Sequence, residues 1–461
     1  MKRTLSLFLA FVLAVSAALC VPAMSASAAL YQPDKTIYAD AYILVNIDDT
    51  SYPVVAEKNA DKKLYPASLT KIVTAMVTLN NVTNLKEKAT MSQKAYDEVL
   101  GTGAQVAGIQ VGEELTIETL LYLTMVYSAC DACQVLAEYV SGSKDAFVAE
   151  MNSWVQSIGC ENTNFVNPDG LHDPNHYTTA RDLSLITEEA VKNTDFMTFC
   201  SATEVSFHGY TLPHTNLMLH PGYLTYYYEY AQGIKTGFTT EAGHCLITKA
   251  SKNGYNYIVV ILNSPLQAIN GESYQTKCSF VDAITLFDWA FDNLKYTTLI
   301  RKAEVVGEVA VKDGKDADTV QLVAKEDVNE IVPTALDKSA IIYDYVDKPE
   351  MINAPVSKDD DVCQANIIYG DEVIATVDLV AADNVELSTF LKVINYIKAF
   401  LSSPIVKVII ILIILFIAAY IALFVSKMKR GQSNKNKKEE RNESRDIYID
   451  EDELAPPKRN K

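Results

Sequence analysis

Pro66-Ala67-Ser68-Leu69-Thr70-Lys71-Ile72-Val73-Thr74 is the stretch on which the rest of the chain turns. Proline is suited to the first turn of a helix, so Pro66 predicts a helix opening here and running through Met76 and Leu79. Ser68 then lies in the first turn and Lys71 one turn on, on the same face. Free backbone N–H groups and the positive end of the helix dipole favour an oxyanion there. A serine hydroxyl is a poor nucleophile until a base takes its proton. A buried lysine beside a second cation can lose its own proton near neutral pH and serve as that base. Alone, Ser-x-x-Lys is commonplace and fits a capping serine and a surface lysine equally well.

Two further motifs follow in order, Ser128-Ala129-Cys130 and Lys235-Thr236-Gly237. Lys235 is the candidate second cation. Thr236 can bond a carboxylate, and Gly237 lets another backbone approach closely. Lys-Thr-Gly is rarer by chance than Ser-x-x-Lys, and here it begins an apolar, β-patterned run.

Outward from these motifs, Ala41–Ile47 and Val54–Glu57 read as a hairpin with a longer loop. Leu115–Val140 has helical spacing with a break near Ser128. Asn167-Pro168-Asp169-Gly170 is a turn, and His176–Ala180 leads into another helix. Residues 234–239, 245–250 and 257–262 read as successive strands, with Asn253-Gly254 as a tight hairpin turn. Phe280–Phe291 reads as a closing helix. Composition shifts near Thr297. From 303 to 381 short alternating strands replace helical patterning, which predicts a small β-sandwich.

The ends carry the membrane signals. Lys2-Arg3, an apolar core from Leu5 to Val15 and Ala26-Ser27-Ala28 predict a secretory signal at 1–28. Val408–Val425 is an unbroken run of 18 apolar or aromatic residues. With Pro404 to Val406 it suffices to cross a hydrocarbon layer of about 30 Å. Lys427, Lys429, Arg430, Lys435, Lys437 and Lys438 follow, a flank that stays in the cytoplasm. Leu387, Phe390, Leu391, Ile394, Ile397 and Leu401 share one face of a helix suited to the membrane surface. The expected order is therefore signal (1–28), catalytic domain (30–296), β-sandwich (297–384), amphipathic juxtamembrane helix (385–403), transmembrane helix (404–426) and disordered cytoplasmic tail (427–461). The expected location is the cell membrane, single-pass, with the catalytic domain outside.

The formal net charge is −18, and residues 29–406 hold 26 basic against 50 acidic side chains. That acidity argues against nucleic acid or another polyanion as partner. Seven cysteines remain after the signal, an odd number at scattered spacings, which is no disulfide framework and suggests a reducing setting. Cys130-x-x-Cys133 has no second pair at metal-ligand spacing, so no metal and no cofactor is expected.

Together the motifs resemble those of low-molecular-mass penicillin-binding proteins, the D-alanyl-D-alanine carboxypeptidases. The longer strings carry the likeness: residues 66–74, Asn167-Pro168-Asp169-Gly170-Leu171, Tyr177-Thr178-Thr179-Ala180-Arg181-Asp182-Leu183, Gly233-Ile234-Lys235-Thr236-Gly237-Phe238-Thr239 and Ala242-Gly243-His244-Cys245-Leu246. The resemblance spans about residues 38–295. It implies a penicillin-recognising α+β fold, an antiparallel sheet flanked by helices with a helical subdomain. It implies that Ser68 is acylated, Lys71 is its base, and Ser128 relays a proton to the leaving amine. It implies that Lys235 and Thr236 hold the substrate carboxylate, and that the backbone N–H groups of Ser68 and Phe238 form the oxyanion hole. Gly237, Thr239 and Cys130 complete the implied substrate-binding set. The implied substrate is a peptidoglycan stem peptide ending in D-Ala-D-Ala, and β-lactams are the implied inhibitors.

Two departures stand out. Cys130 occupies a position where the family usually has asparagine, and it reads either as inert packing or as a reactive thiol beside Lys71. The arginine that often helps bind the carboxylate has no counterpart between Gly237 and Lys277. Two other readings therefore accompany the carboxypeptidase: a β-lactamase or transpeptidase on the same fold, and a wall- or penicillin-binding protein impaired in turnover. His172, His176, His214 and His244 are candidate cleft residues, as are the tyrosines of 210–230, although turn capping and loop packing explain both sets equally well.

Overall fold

The computed structural model describes residues 32–48, 54–268 and 275–446, with side chains through Asn434. The signal segment and residues 447–461 lie outside the described residues. Contacts divide the chain into two compact units. The first runs through Glu304 and includes 324–347 and 363–379; the second comprises 305–323, 348–362 and the residues from Val380 on.

The catalytic part of the first unit is built on a five-stranded antiparallel sheet. Its strands are β1 (Ala41–Asn46), β2 (Val54–Lys58), β3 (Ala231–Thr239), β4 (Gly243–Lys252) and β5 (Tyr255–Ser264), in the order β2-β1-β5-β4-β3. β5 is central because it is apolar on both faces: Ile258 through Leu262 are all fully buried. Each such side chain contributes about 1.5–3 kcal/mol through burial. Alternate residues serve opposite faces. Ile258, Val260 and Leu262 pack with the helical lobe. Val259 and Ile261 pack with Phe280, Leu286 and Phe287 of the closing helix. Asn253 and Gly254, at φ 55° and 90°, make the tight β4–β5 turn that their sequence predicts.

Five helices matter here: α1 (Lys71–Asn81), α2 (Cys130–Ser141), α3 (Lys144–Ser157), α4 (Ala180–Ala190) and α5 (Cys278–Asn293). The helix foreseen from Pro66 begins as a 3-10 turn, Ala67–Thr70, and becomes α-helical at Lys71. The stretch 115–140 breaks as anticipated. A wide turn at Leu123–Tyr127 ends on Ser128, which takes a left-handed conformation at φ 66°, and α2 starts at Cys130. Six cysteines, at 130, 133, 160, 200, 245 and 278, are buried as thiols without a disulfide.

Beyond α5 every segment read as a strand forms one. In the first unit Leu294–Ile300 pairs with Val328–Pro333, and Ile342–Val346 with Asp361–Tyr369. In the second, Val305–Lys312 pairs antiparallel with Thr319–Ala324 and parallel with Met351–Asn353. Leu294–Ile300 runs through the boundary expected at 296/297. The shift in composition there reflects a change in surface exposure, not a break in the chain.

Two helices end the described chain, α6 (Thr389–Ser402) and α7 (Pro404–Asp446). No residue of α6 is buried, and Phe390 and Tyr396 are 73% and 75% exposed. Asn395 Nδ2 donates to Asp313 Oδ1 at 2.7 Å, tying α6 to its own unit. α7 is long and apolar enough to cross a membrane, which fits membrane anchoring. Disorder was expected from 427, yet α7 continues to Asp446. Lys, Arg, Gln and Glu are good helix formers, and no proline intervenes before Pro456.

Candidate active site

The 3-10 turn that carries Ser68 is wedged between two glycine-bearing segments. A side chain on Gly170, at φ +83°, would place its Cβ 1.9 Å from the Ala67 carbonyl oxygen. One on Gly237 would meet Pro66 O at 2.9 Å and Ser68 N at 3.1 Å. Both glycines are needed for this approach. Gly170→Ala is therefore expected to lose about 1–3 kcal/mol of stability from the backbone conformation alone. The contact with Ala67 adds to that loss and displaces Ser68. Thermal unfolding together with penicillin acylation rate checks this, and wild-type values for both would refute it.

Lys71 is fully buried beneath the turn. Its Nζ lies 3.0 Å from Ser68 Oγ, 2.5 Å from the Asp169 carbonyl oxygen and 3.3 Å from Cys130 Sγ. Asp169 is fixed in turn by Gln134, whose Nε2 donates to Oδ2 at 2.7 Å. Lys235, from edge strand β3, is also fully buried, but among the described residues its ammonium donates only to the neighbouring Thr236 carbonyl, at 3.1 Å.

This asymmetry decides the proton balance. Burial opposes charge on both lysines. Around Lys71 the acceptors Ser68 Oγ, Cys130 Sγ and the Asp169 carbonyl, with the Asp169 carboxylate nearby, offset it, and the ammonium stays above the ordinary lysine value. At Lys235 burial and the Lys71 charge prevail over the influence of the Cys133 and Cys130 sulfurs and bring it down to about 7. The sequence suggested Lys71 as the lysine with the lowered pKa; the structure places that shift on Lys235. As a coupled pair, the two shed their first proton near pH 7. Burial also pushes the Cys130 thiol up despite Lys71, which favours the packing role over the reactive one.

Ser68, Ser128, Cys130, Thr236, Gly237, Phe238 and Thr239 line one cleft of about 1060 Å³; Lys71, bonded to Ser68 and Cys130, and Lys235, next to Thr236, lie buried behind that lining. Thr236 Oγ1 donates to Thr215 Oγ1 at 2.7 Å. Phe238 is 60% exposed and stacks on His244, centroids 4.6 Å apart. The sheet ends at β3, so this strand has an edge unpaired within its sheet.

The histidines divide. His172, His214 and His244 line the cleft, whereas His176 sits behind it. Val166 N–H donates to His176 Nδ1 at 3.2 Å, so Nε2 carries the proton and donates to Thr70 Oγ1 at 2.8 Å. Thr70 passes the chain on to the Ala67 carbonyl at 2.8 Å. Burial lowers His176 to about 4 and His214 to about 3, so neither is a cation at neutral pH. Tyr226, Tyr228 and Tyr230 pack around Phe280, Phe287 and Phe291 of α5 rather than edging the cleft.

Sequence reasoning missed Asp131. Its buried carboxylate accepts the backbone N–H groups of Ala107 (3.0 Å), Gly108 (2.8 Å) and Ile109 (3.0 Å). The Cys130 N–H donates to the Gln105 carbonyl at 2.8 Å. The wall formed by Thr102–Gln105 is thus tied to the segment bearing Ser128 and Cys130.

Comparison with known proteins bears on the family and the fold. The family profile described as D-alanyl-D-alanine carboxypeptidase matches residues 25–265, and that of the penicillin-binding protein 5 C-terminal domain matches 294–387. The chain is similar to the D-alanyl-D-alanine carboxypeptidase DacF of Bacillus subtilis, 26% identical over 76% of this chain and 87% of that one. It is likewise similar to DacA of Escherichia coli, 28% identical over 84% and 95%. The crystal structure of penicillin binding protein 5 from Haemophilus influenzae superposes with a TM-score of 0.59 at 26% identity, covering 77% of this chain and 100% of that one.

Proposed function

This chain belongs to the D-alanyl-D-alanine carboxypeptidase family and is a serine carboxypeptidase, and from that premise we propose that Ser68, Lys71, Ser128 and Lys235 remove the terminal D-alanine from peptidoglycan stem pentapeptides. The observation that carries the assignment is the 3.0 Å approach of Lys71 Nζ to Ser68 Oγ behind the cleft lining.

The substrate's terminal carboxylate is held by Thr236 and Lys235, and its backbone lies along the β3 edge. The negative charge stabilises an ammonium on Lys235, so the single proton of the coupled pair settles there and Lys71 becomes the neutral partner. Ser68 then gives its proton to Lys71 Nζ, and Oγ attacks the carbonyl carbon of the penultimate residue. The developing oxyanion meets the backbone N–H groups of Ser68 and Phe238. Collapse breaks the C–N bond, the proton that Lys71 took from Ser68 passes through Ser128 to the leaving amine, and D-alanine departs with Lys71 neutral again. Water, deprotonated by Lys71, hydrolyses the ester and restores Ser68. A β-lactam enters by the same first step and leaves Ser68 acylated. The catalytic domain works outside the cell, anchored by α7, with α6 on the outer membrane surface and the basic residues after 426 inside.

Both lysines are ammonium groups well below pH 7, and the pair must lose one proton before Lys71 can accept another. kcat/KM is therefore expected to fall about tenfold per pH unit below roughly 7. A flat profile between pH 5 and 8 would contradict this pairing. The functional test itself is direct. The full chain, given a stem pentapeptide, should release one alanine, seen by mass spectrometry. Stable penicillin acylation without that release would sink the carboxypeptidase assignment in favour of a binding protein. Rapid penicillin hydrolysis would point to a lactamase.

A further inference from the structure

We propose that a groove at the far end of α1 is a second binding site, for an N-acetylated amino sugar of a glycan strand; it rests on the reading of the substrate as a peptide borne on glycan. The groove encloses about 240 Å³ between the last turn of α1 and the face of α3. Asn80 and Asn81 line it on one side, and Glu150, Ser153 and Trp154 on the other. The chain has two tryptophans; Trp289 is buried in the α5 core, whereas Trp154 is half-buried with part of its surface in this groove.

The polar groups around it fall into two kinds. Glu150 is fixed: Oε1 accepts from Ser141 Oγ at 2.7 Å and Oε2 from Asn81 Nδ2 at 3.3 Å. Its carboxylate keeps spare lone pairs. The Trp154 indole N–H, the Asn80 carboxamide and the Ser153 hydroxyl make no hydrogen bond among the described residues. Aromatic surface beside a fixed carboxylate, a free carboxamide and a free hydroxyl complements a pyranose. The C–H face of the sugar lies on the indole, and its hydroxyl and acetamido groups meet the rim.

Other ligand classes fit less well. No cation lines the groove and a carboxylate does, which disfavours phosphate and polyanions. Both walls are helices, so no strand edge is offered to a peptide. Lys71 and Asn81 stand about 15 Å apart along α1, but residues 71–78 are buried, so a glycan strand meets the groove over the surface of the domain and not along the helix.

The test uses the full chain in detergent micelles, its cleft blocked by penicillin, and the β-1,4-linked pentamer of N-acetylglucosamine as probe. Saturable binding in the millimolar range is expected by saturation-transfer NMR, with a change in tryptophan fluorescence. Trp154→Ala should weaken it at least tenfold and Asn80→Ala about threefold. Trp154→Phe keeps an aromatic face and should bind within a few-fold of wild type, which covers the case in which the alanine variant fails to fold. Without penicillin, Trp154→Ala should also lower the ratio of kcat/KM on glycan-linked peptide to that on free pentapeptide by about three- to tenfold. Absence of saturable binding, equal binding by Trp154→Ala, or equal binding of the cellulose pentamer, which lacks the acetamido group, would overturn the assignment. Alanine release from free pentapeptide by the same preparation, assayed before penicillin is added, is read in parallel. Its absence with normal sugar binding would count against the catalytic reading and not against the groove.

Discussion

Ser68→Ala is expected to abolish D-alanine release, with kcat falling at least about 10⁴-fold, and to eliminate covalent penicillin labelling. The residue sits in a turn already fixed from both sides, by Gly170 against Ala67 and by Gly237 against Pro66 and Ser68 N. Removing one hydroxyl does not disturb these contacts, so the unfolding midpoint should stay within a degree or two of wild type. Its hydroxyl lies 3.0 Å from Lys71 Nζ, the arrangement on which the proposed ester formation rests. Cys130 is the nearest competitor, but burial keeps its thiol protonated. Covalent penicillin labelling of the alanine variant, located by peptide mass mapping at any other residue, would break the assignment.

Lys71→Met is the second large effect. Methionine nearly matches the length of the lysine side chain but cannot accept a proton, so the acylation rate should drop about 10²–10⁴-fold. Penicillin acylation should fall in parallel with peptide turnover, because both begin with the same proton transfer. Stability responds to two opposing terms. Loss of a buried cation is favourable or neutral. Leaving the Asp169 carbonyl without its donor costs about 1–3 kcal/mol. A variant within tenfold of wild type in penicillin acylation would show that another group, with Lys235 foremost, takes the proton.

Local features of the molecule were legible in its sequence. The i, i+3 spacing of Ser68 and Lys71, the doubly buried run at 257–262 and the Asn253-Gly254 turn each state their structure within a few residues. What was not legible joins distant positions. The hydrogen bond from His176 to Thr70 spans 106 residues, and that from Lys71 to the Asp169 carbonyl spans 98. Nothing at either end announces its partner. The fall of Lys235 to about 7 is of the same kind, since it depends on which lysine finds acceptors once both are buried. Asp131 was passed over because an aspartate next to a motif reads as a solvated charge. Its role follows from the loop folding back over it.

The six sulfhydryl groups sealed inside the first unit bear on how this molecule must be made. A nascent chain exported as proposed above exposes all of them at once, in any order of collision. Nothing in the finished architecture requires any two to be joined, so each accidental crosslink is a dead end. Speed of collapse is then the safeguard: maturation succeeds where burial outpaces oxidation. Recovery from denaturant should therefore be most complete with a reducing agent present and poorest with a disulfide-forming catalyst, the reverse of what crosslink-dependent secreted proteins require.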